Sequence, residues 1–249
     1  GSCIDFYAVQ NGAAFVGEKS SVILTTLDAK LGINDSWAGS TVSNTLSGNS
    51  GDCGENAAMA SLTRIRNLGA NGTPDVILFY GGTNDIGRLL PLGSFDPATA
   101  PTEVDLTTTK WTTVADAYVN AIMRLQYYYP EAEILAMLPT YTTSYYTNAK
   151  LAQYNTVFSA ICEHYGIPYI DLRDCGISTA NLPDGIHPDA TGMDYITGAV
   201  LDTLLNDMKM EAGEHIVHSV THNLNGAESS LGYYKGITHG KSFATTITG

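Results

Sequence analysis

Apolar and polar positions fall into two textures along the chain: short continuous apolar runs, and longer stretches in which apolar residues recur every three or four positions. The runs at 74–80 (PDVILFY), 132–138 (AEILAML) and 167–171 (PYIDL) have the length and composition of strands buried on both faces, and GINDSW at 32–37 reads as a shorter fourth. Between the first two, Val114, Ala117, Tyr118, Ala121, Ile122, Leu125 and Tyr128 keep helical spacing until Pro130 stops it. Further helices are predicted over about 20–31, 55–68, 148–165 and 190–209, the last with Asp189 as its N-cap. Strand and helix in alternation predict an α/β protein, a three-layer α/β/α sandwich around a parallel sheet. No apolar strand is evident ahead of the helix at 20–31.

Two segments depart from this alternation. Residues 88–110 are rich in Thr and Pro and lack either period, so they read as an irregular insertion after the 74–80 strand. After residue 212 the texture changes to Thr, Ser and Gly mixed with aliphatic residues, which predicts a main domain over 1–212 and a β-rich tail over 213–249. Three histidines at the start of that tail, His215, His218 and His222, have the spacing of one helix face, but the strand-like Ile and Val among them favour solvated side chains over metal ligands.

Composition narrows the function. A chain of 249 residues with 44% hydrophobic content can bury a full core. A net charge of −13, with 12 Lys and Arg in no basic cluster, argues against nucleic acid as a partner, because no counterion-releasing surface is present. No run approaches the roughly 18 apolar residues of a membrane helix. The four cysteines, at 3, 53, 162 and 175, show no CxxC spacing, and neither a cofactor nor a metal is implied.

In a parallel sheet the loops leaving the carboxyl ends of the strands gather at one edge and form the binding crevice. Three loops in that position carry unusual residues: NDSWAGST at 34–41, GGTND at 81–85 and DGIHP at 184–188. In the last, Asp184 stands three residues before His187 in a turn stiffened by Pro183 and Pro188. A carboxylate accepting from one ring nitrogen fixes the tautomer and leaves the other nitrogen as a base. In GGTND, two glycines permit a sharp turn and Asn84 can offer its amide as a neutral donor, as an oxyanion hole requires. Gly39 can add a backbone N–H. Each loop alone also reads as an ordinary turn.

Taken in order on this α/β pattern, the three blocks resemble the second, third and fifth conserved blocks of the SGNH hydrolases, also called the GDSL esterase/lipase family, over about residues 15–210. The resemblance implies a flavodoxin-like sheet and an ester hydrolase working through an acyl-enzyme. It assigns His187 as general base, Asp184 as its orienting carboxylate, and Asn84 and Gly39 as oxyanion donors, with Trp37, Thr83, Asp85 and Tyr141 as substrate contacts. The family's nucleophile is a serine in a Gly-Asp-Ser block on the first strand, and no such triplet occurs in this chain. Two placements follow: a serine upstream of residue 1, or Cys3 within the opening GSCID.

Aromatic residues in the loops near the expected crevice, Trp37, Phe95, Trp111, Tyr141, Tyr145 and Tyr146, suit a sugar face or an acyl group. With the acidic composition they point to a small-molecule or polysaccharide ester, an acetylated carbohydrate before a lipid acyl ester. The tail's loose likeness to a β-sandwich repeat of gut-bacterial surface proteins points to a secreted or cell-surface location. A catalytically dead carbohydrate-binding domain on the same fold is the alternative that the absent Gly-Asp-Ser motivates.

Overall fold

The computed structural model describes residues 3–7, 18–44 and 57–210. Five parallel strands form one sheet in the order β2-β1-β3-β4-β5: β1 Cys3–Tyr7, β2 Lys30–Asn34, β3 Val76–Tyr80, β4 Glu133–Leu138 and β5 Tyr169–Asp171. Helices α1 Glu18–Thr26, α2 Leu62–Asn67, α3 Thr83–Gly87, α4 Val114–Tyr128, α5 Asn148–His164 and α6 Ala190–Asp202 connect and cover it. This strand order is the doubly wound, flavodoxin-like arrangement, with its switch point between β1 and β3.

The period of two along β3 and β4 divides the core. Ile77, Phe79, Ile134, Ala136 and Leu138 pack with α2, α4 and α5 on one face, while Val76, Leu78, Tyr80, Leu135 and Met137 pack with Ile23 of α1, Leu27 just after it, and Ile196 and Val200 of α6 on the other. All five residues of β3 are buried, and each large aliphatic among them contributes about 1.5–3 kcal/mol of burial. The fold is therefore the three-layer sandwich expected.

The boundaries differ from expectation in informative ways. β1 fills the position for which the sequence shows no apolar run: its five residues, CIDFY, pair with both β2 and β3 although an acid interrupts the pattern. α1 stops at Thr26 because Asp28 adopts φ 50 and closes the helix, Ala29 N–H donating to the Leu24 carbonyl and Asp28 N–H to that of Thr25. β2 consequently starts at Lys30, earlier than GINDSW. The helix expected over 55–68 is shortened to α2, with Ser61 as its N-cap and a 3-10 turn, Leu68–Asn71, after it. Asp189 caps α6 through Gly192 N–H at 2.7 Å, as expected.

The insertion at 88–110 forms neither helix nor strand. It is pinned to α4 by the fully buried Arg124, whose guanidinium donates to the carbonyls of Asp105, Thr108 and Ala60 at 2.6–2.8 Å and lies against Trp111. No helix among the described residues is long and apolar enough to cross a membrane. The tail from 213, with His215, His218 and His222, lies outside the described residues.

Candidate active site

The loops that leave β2, β3 and β4 at the carboxyl edge of the sheet are tied to one another, and the turn at 184–188 joins them. After β2, residues Trp37 to Ser40 make a turn closed by Ser40 N–H on the Trp37 carbonyl at 3.2 Å, with Gly39 at φ 74. That positive φ favours glycine, and a Cβ there would stand 3.1 Å from Arg88 Nη2. The Gly39 N–H takes no part in the turn's bond.

Gly81 and Gly82 carry the chain from β3 into α3, whose first turn holds Thr83, Asn84 and Asp85. Asn84 Nδ2 donates to the Ser40 carbonyl at 2.9 Å, and its Oδ1 accepts from the Tyr145 hydroxyl at 3.3 Å. These two bonds fix the amide's orientation, and the second N–H has no partner among the described residues. Among the described residues two donors, Gly39 N–H and one arm of Asn84, thus have no partner, on segments in direct contact.

Asp85 points the other way. Its carboxylate accepts from Val42 N–H at 2.8 Å, Ser43 N–H at 3.2 Å and Ser43 Oγ at 3.1 Å, and the residue is fully buried. Burial pushes its pKa up to about 6 despite those donors. The expected substrate contact at Asp85 is therefore corrected: it clamps the 41–44 segment onto α3. Thr83, 2% exposed, is likewise interior and does not face a substrate.

The loop after β4 bridges to the fourth segment. Tyr141 is half-buried at the sheet edge, Tyr145 reaches Asn84, and Thr143 N–H donates to the Gly185 carbonyl at 2.8 Å. Gly185 has φ 84, and a Cβ on it would meet Thr143 Oγ1 at 2.5 Å, so this contact depends on glycine. Within the turn, Asp184 Oδ1 accepts from the N–H groups of Ile186 and His187 at 2.9 and 2.7 Å, and Oδ2 lies 2.5 Å from His187 Nδ1. The two backbone and ring N–H groups of His187, with Ile186 N–H, hold the Asp184 carboxyl well below the usual range. An ionised carboxylate only accepts, so in the neutral imidazole the ring proton sits on Nδ1 and Nε2 carries the lone pair. Both side chains are open to water, at 30% for His187 and 54% for Asp184.

Other expected aromatics are elsewhere. Trp111 is buried beneath Arg124 and Phe95 packs against His164 and Tyr165, whereas Trp37 is 46% exposed beside Gly39. Cys3 begins β1, in register with Lys30 at the start of β2, and so stands at the amino edge of the sheet, opposite the crevice. That position excludes it as the residue His187 would activate. The segment leaving β1 at the crevice edge, 8–17, lies outside the described residues, and its sequence AVQNGAAFVG contains no Ser, Thr or Cys.

Sequence reasoning misses one group of residues, the pair Asp35 and Arg64. Arg64, 2% exposed, donates from Nε to Asp35 Oδ2 at 2.8 Å, from Nη2 to the Asp35 carbonyl, and from Nη1 to Ser40 Oγ at 3.2 Å and the Ala57 carbonyl at 2.7 Å. It thereby holds both ends of the Gly39 turn.

A doubly wound sheet with these loops at its carboxyl edge is the SGNH hydrolase fold. The profile of the GDSL-like lipase/acylhydrolase family matches residues 20–204, and the chain belongs to that family. Among solved structures, one described as a GDSL-like lipase from Bacteroides uniformis ATCC 8492 is 26% identical with a TM-score of 0.52, the match covering 82% of this chain and 93% of that one. The lipase/acylhydrolase from Enterococcus faecalis is 12% identical (TM-score 0.53, 86% and 100% covered), and a Lactobacillus plantarum protein is 20% identical (TM-score 0.58, 82% and 96% covered); these two share the fold. A comparison with curated proteins finds no match.

Proposed function

We propose that the protein is an ester hydrolase that removes an acetyl or other short acyl group from a carbohydrate through an acyl-enzyme. The observation that carries this reading is the 2.5 Å contact between His187 Nδ1 and Asp184 Oδ2, on a turn linked through Thr143 and Tyr145 to the amide of Asn84. In this reading a serine upstream of residue 1 attacks the ester carbonyl; His187 Nε2 takes its hydroxyl proton and gives it to the departing sugar oxygen, water then hydrolyses the acyl-serine through the same base, and Asp184 holds the ring and stabilises the imidazolium. The tetrahedral oxyanion is met by Gly39 N–H and the unused arm of Asn84. A polysaccharide substrate would place the reaction outside the bacterial cell, with Tyr141 and Trp37 at the crevice rim.

A non-catalytic carbohydrate-binding domain is the second reading. It is favoured by the segment after β1, which is where the family's serine stands and which lacks any hydroxyl or thiol nucleophile. Hydrolysis of 4-nitrophenyl acetate separates the two. The enzymatic reading expects turnover by the wild type and a fall in kcat/KM of about 10³-fold or more in His187→Ala. Equal rates for the two proteins would leave the non-catalytic reading standing.

A further inference from the structure

An indole held partly in water is usually free to turn, and this one is not. Trp37 Nε1–H donates to Asp35 Oδ1 at 3.2 Å, and the Arg64 guanidinium lies 5.1 Å from the ring centroid. Asp35 is itself 5% exposed and paired with the buried Arg64. The polar edge of the indole is thus tied to an interior ion pair, and a cation sits against the ring, while 46% of the residue stays exposed. The ordering entropy of this side chain is lost on folding and is not lost again when a ligand arrives. Two residues further on is Gly39, and the same Arg64 bonds Ser40 on its far side.

We propose that Trp37 is a platform for a neutral sugar ring of the substrate, and that Arg64 is the buried residue that positions it together with the Gly39 turn. The location of the platform beside reacting groups rests on the esterase reading; its capacity to bind sugar does not. A flat apolar surface with a fixed tilt complements the C–H face of a pyranose or pentopyranose. An acyl chain would need enclosing walls, which an indole standing at the rim does not supply. A neutral ligand is also indifferent to the chain's net charge of −13, which would repel an acidic one.

The test reads binding apart from turnover. Xylohexaose and cellohexaose, both without acetyl groups, are titrated into the protein by calorimetry and by tryptophan fluorescence. Of the chain's two tryptophans, Trp111 is 3% exposed, so a quench reports Trp37. At least one saccharide is expected to quench the wild type saturably. Trp37→Ala should abolish the quench and weaken binding about tenfold or more, Trp37→Phe should retain part of the affinity, and Arg64→Lys, which keeps charge but loses the fork, should weaken binding about threefold or more. Absence of binding by the wild type to either saccharide, or Trp37→Ala binding at wild-type affinity, overturns the platform. Unchanged binding in a folded Arg64→Lys or Asp35→Asn variant overturns the role of Arg64. Binding through Trp37 by a protein inert toward esters would reject the esterase reading and leave the platform in place.

Discussion

The two halves of the candidate site are built in opposite ways. On the proposed oxyanion side, Ser40, Ser43, Asn84 and Asp85 are all buried and bonded across segments more than 40 residues apart in sequence. On the proposed acid–base side, Asp184 is exposed and His187 partly so, and the carboxylate's bonds close within three residues. A donor that stabilises developing charge must not reorganise, which calls for a rigid, water-poor setting. A base that cycles its proton gains from contact with solvent, provided one carboxylate fixes its tautomer. Rate and stability should therefore separate on one side and move together on the other.

The largest contrast is expected at His187. His187→Ala should remove activity by the factor given above and yet leave the melting temperature within about 2 °C of wild type, since an exposed substitution is worth about 0.5 kcal/mol or less. Asn84→Ala should lower kcat by about 10²–10³-fold and also destabilise by about 1–3 kcal/mol, because the Ser40 carbonyl loses its donor and the Tyr145 hydroxyl its acceptor. Calorimetric melting beside initial-rate kinetics on both variants checks the pair. A large loss of stability in His187→Ala would dissolve the contrast.

A third effect is one of pH. With its pKa raised to about 6, Asp85 binds its proton more tightly in the folded chain than in the unfolded one. Stability from this group is therefore fullest below about pH 4 and declines as pH rises toward and past 6, by about 3 kcal/mol in all. Urea unfolding of wild type and Asp85→Asn at pH 4, 5, 6 and 7 should show the difference, wild type minus variant, falling by that amount. A difference independent of pH would mean that the clamp donors cancel the effect of burial, and one that rises with pH that they outweigh it.

What the sequence disclosed follows the same division. Strands β3 and β4 were legible because they are buried on both faces and read as unbroken apolar runs, and the Asp184–His187 turn because its chemistry is local. β1 was hidden because a five-residue strand containing Asp5 leaves no run to notice. The early end of α1 was hidden because Asp28, where a glycine would have announced it, takes the left-handed conformation. Asp85 looked like a crevice residue because GGTND shows which residues are polar and not which way they face. The Asp35–Arg64 pair spans 29 positions between a loop and a helix, and no local pattern marks it.

Whether both halves serve one nucleophile can be read by labelling with a fluorophosphonate. The probe needs an activated hydroxyl and forms a tetrahedral adduct that the oxyanion donors must hold. With the full native amino terminus in place, one adduct per wild-type chain is expected, located by peptide mass spectrometry on one serine and forming about 10²-fold more slowly or worse in both His187→Ala and Asn84→Ala. No adduct in the wild type, or labelling at the same rate in either variant, would contradict a shared nucleophile.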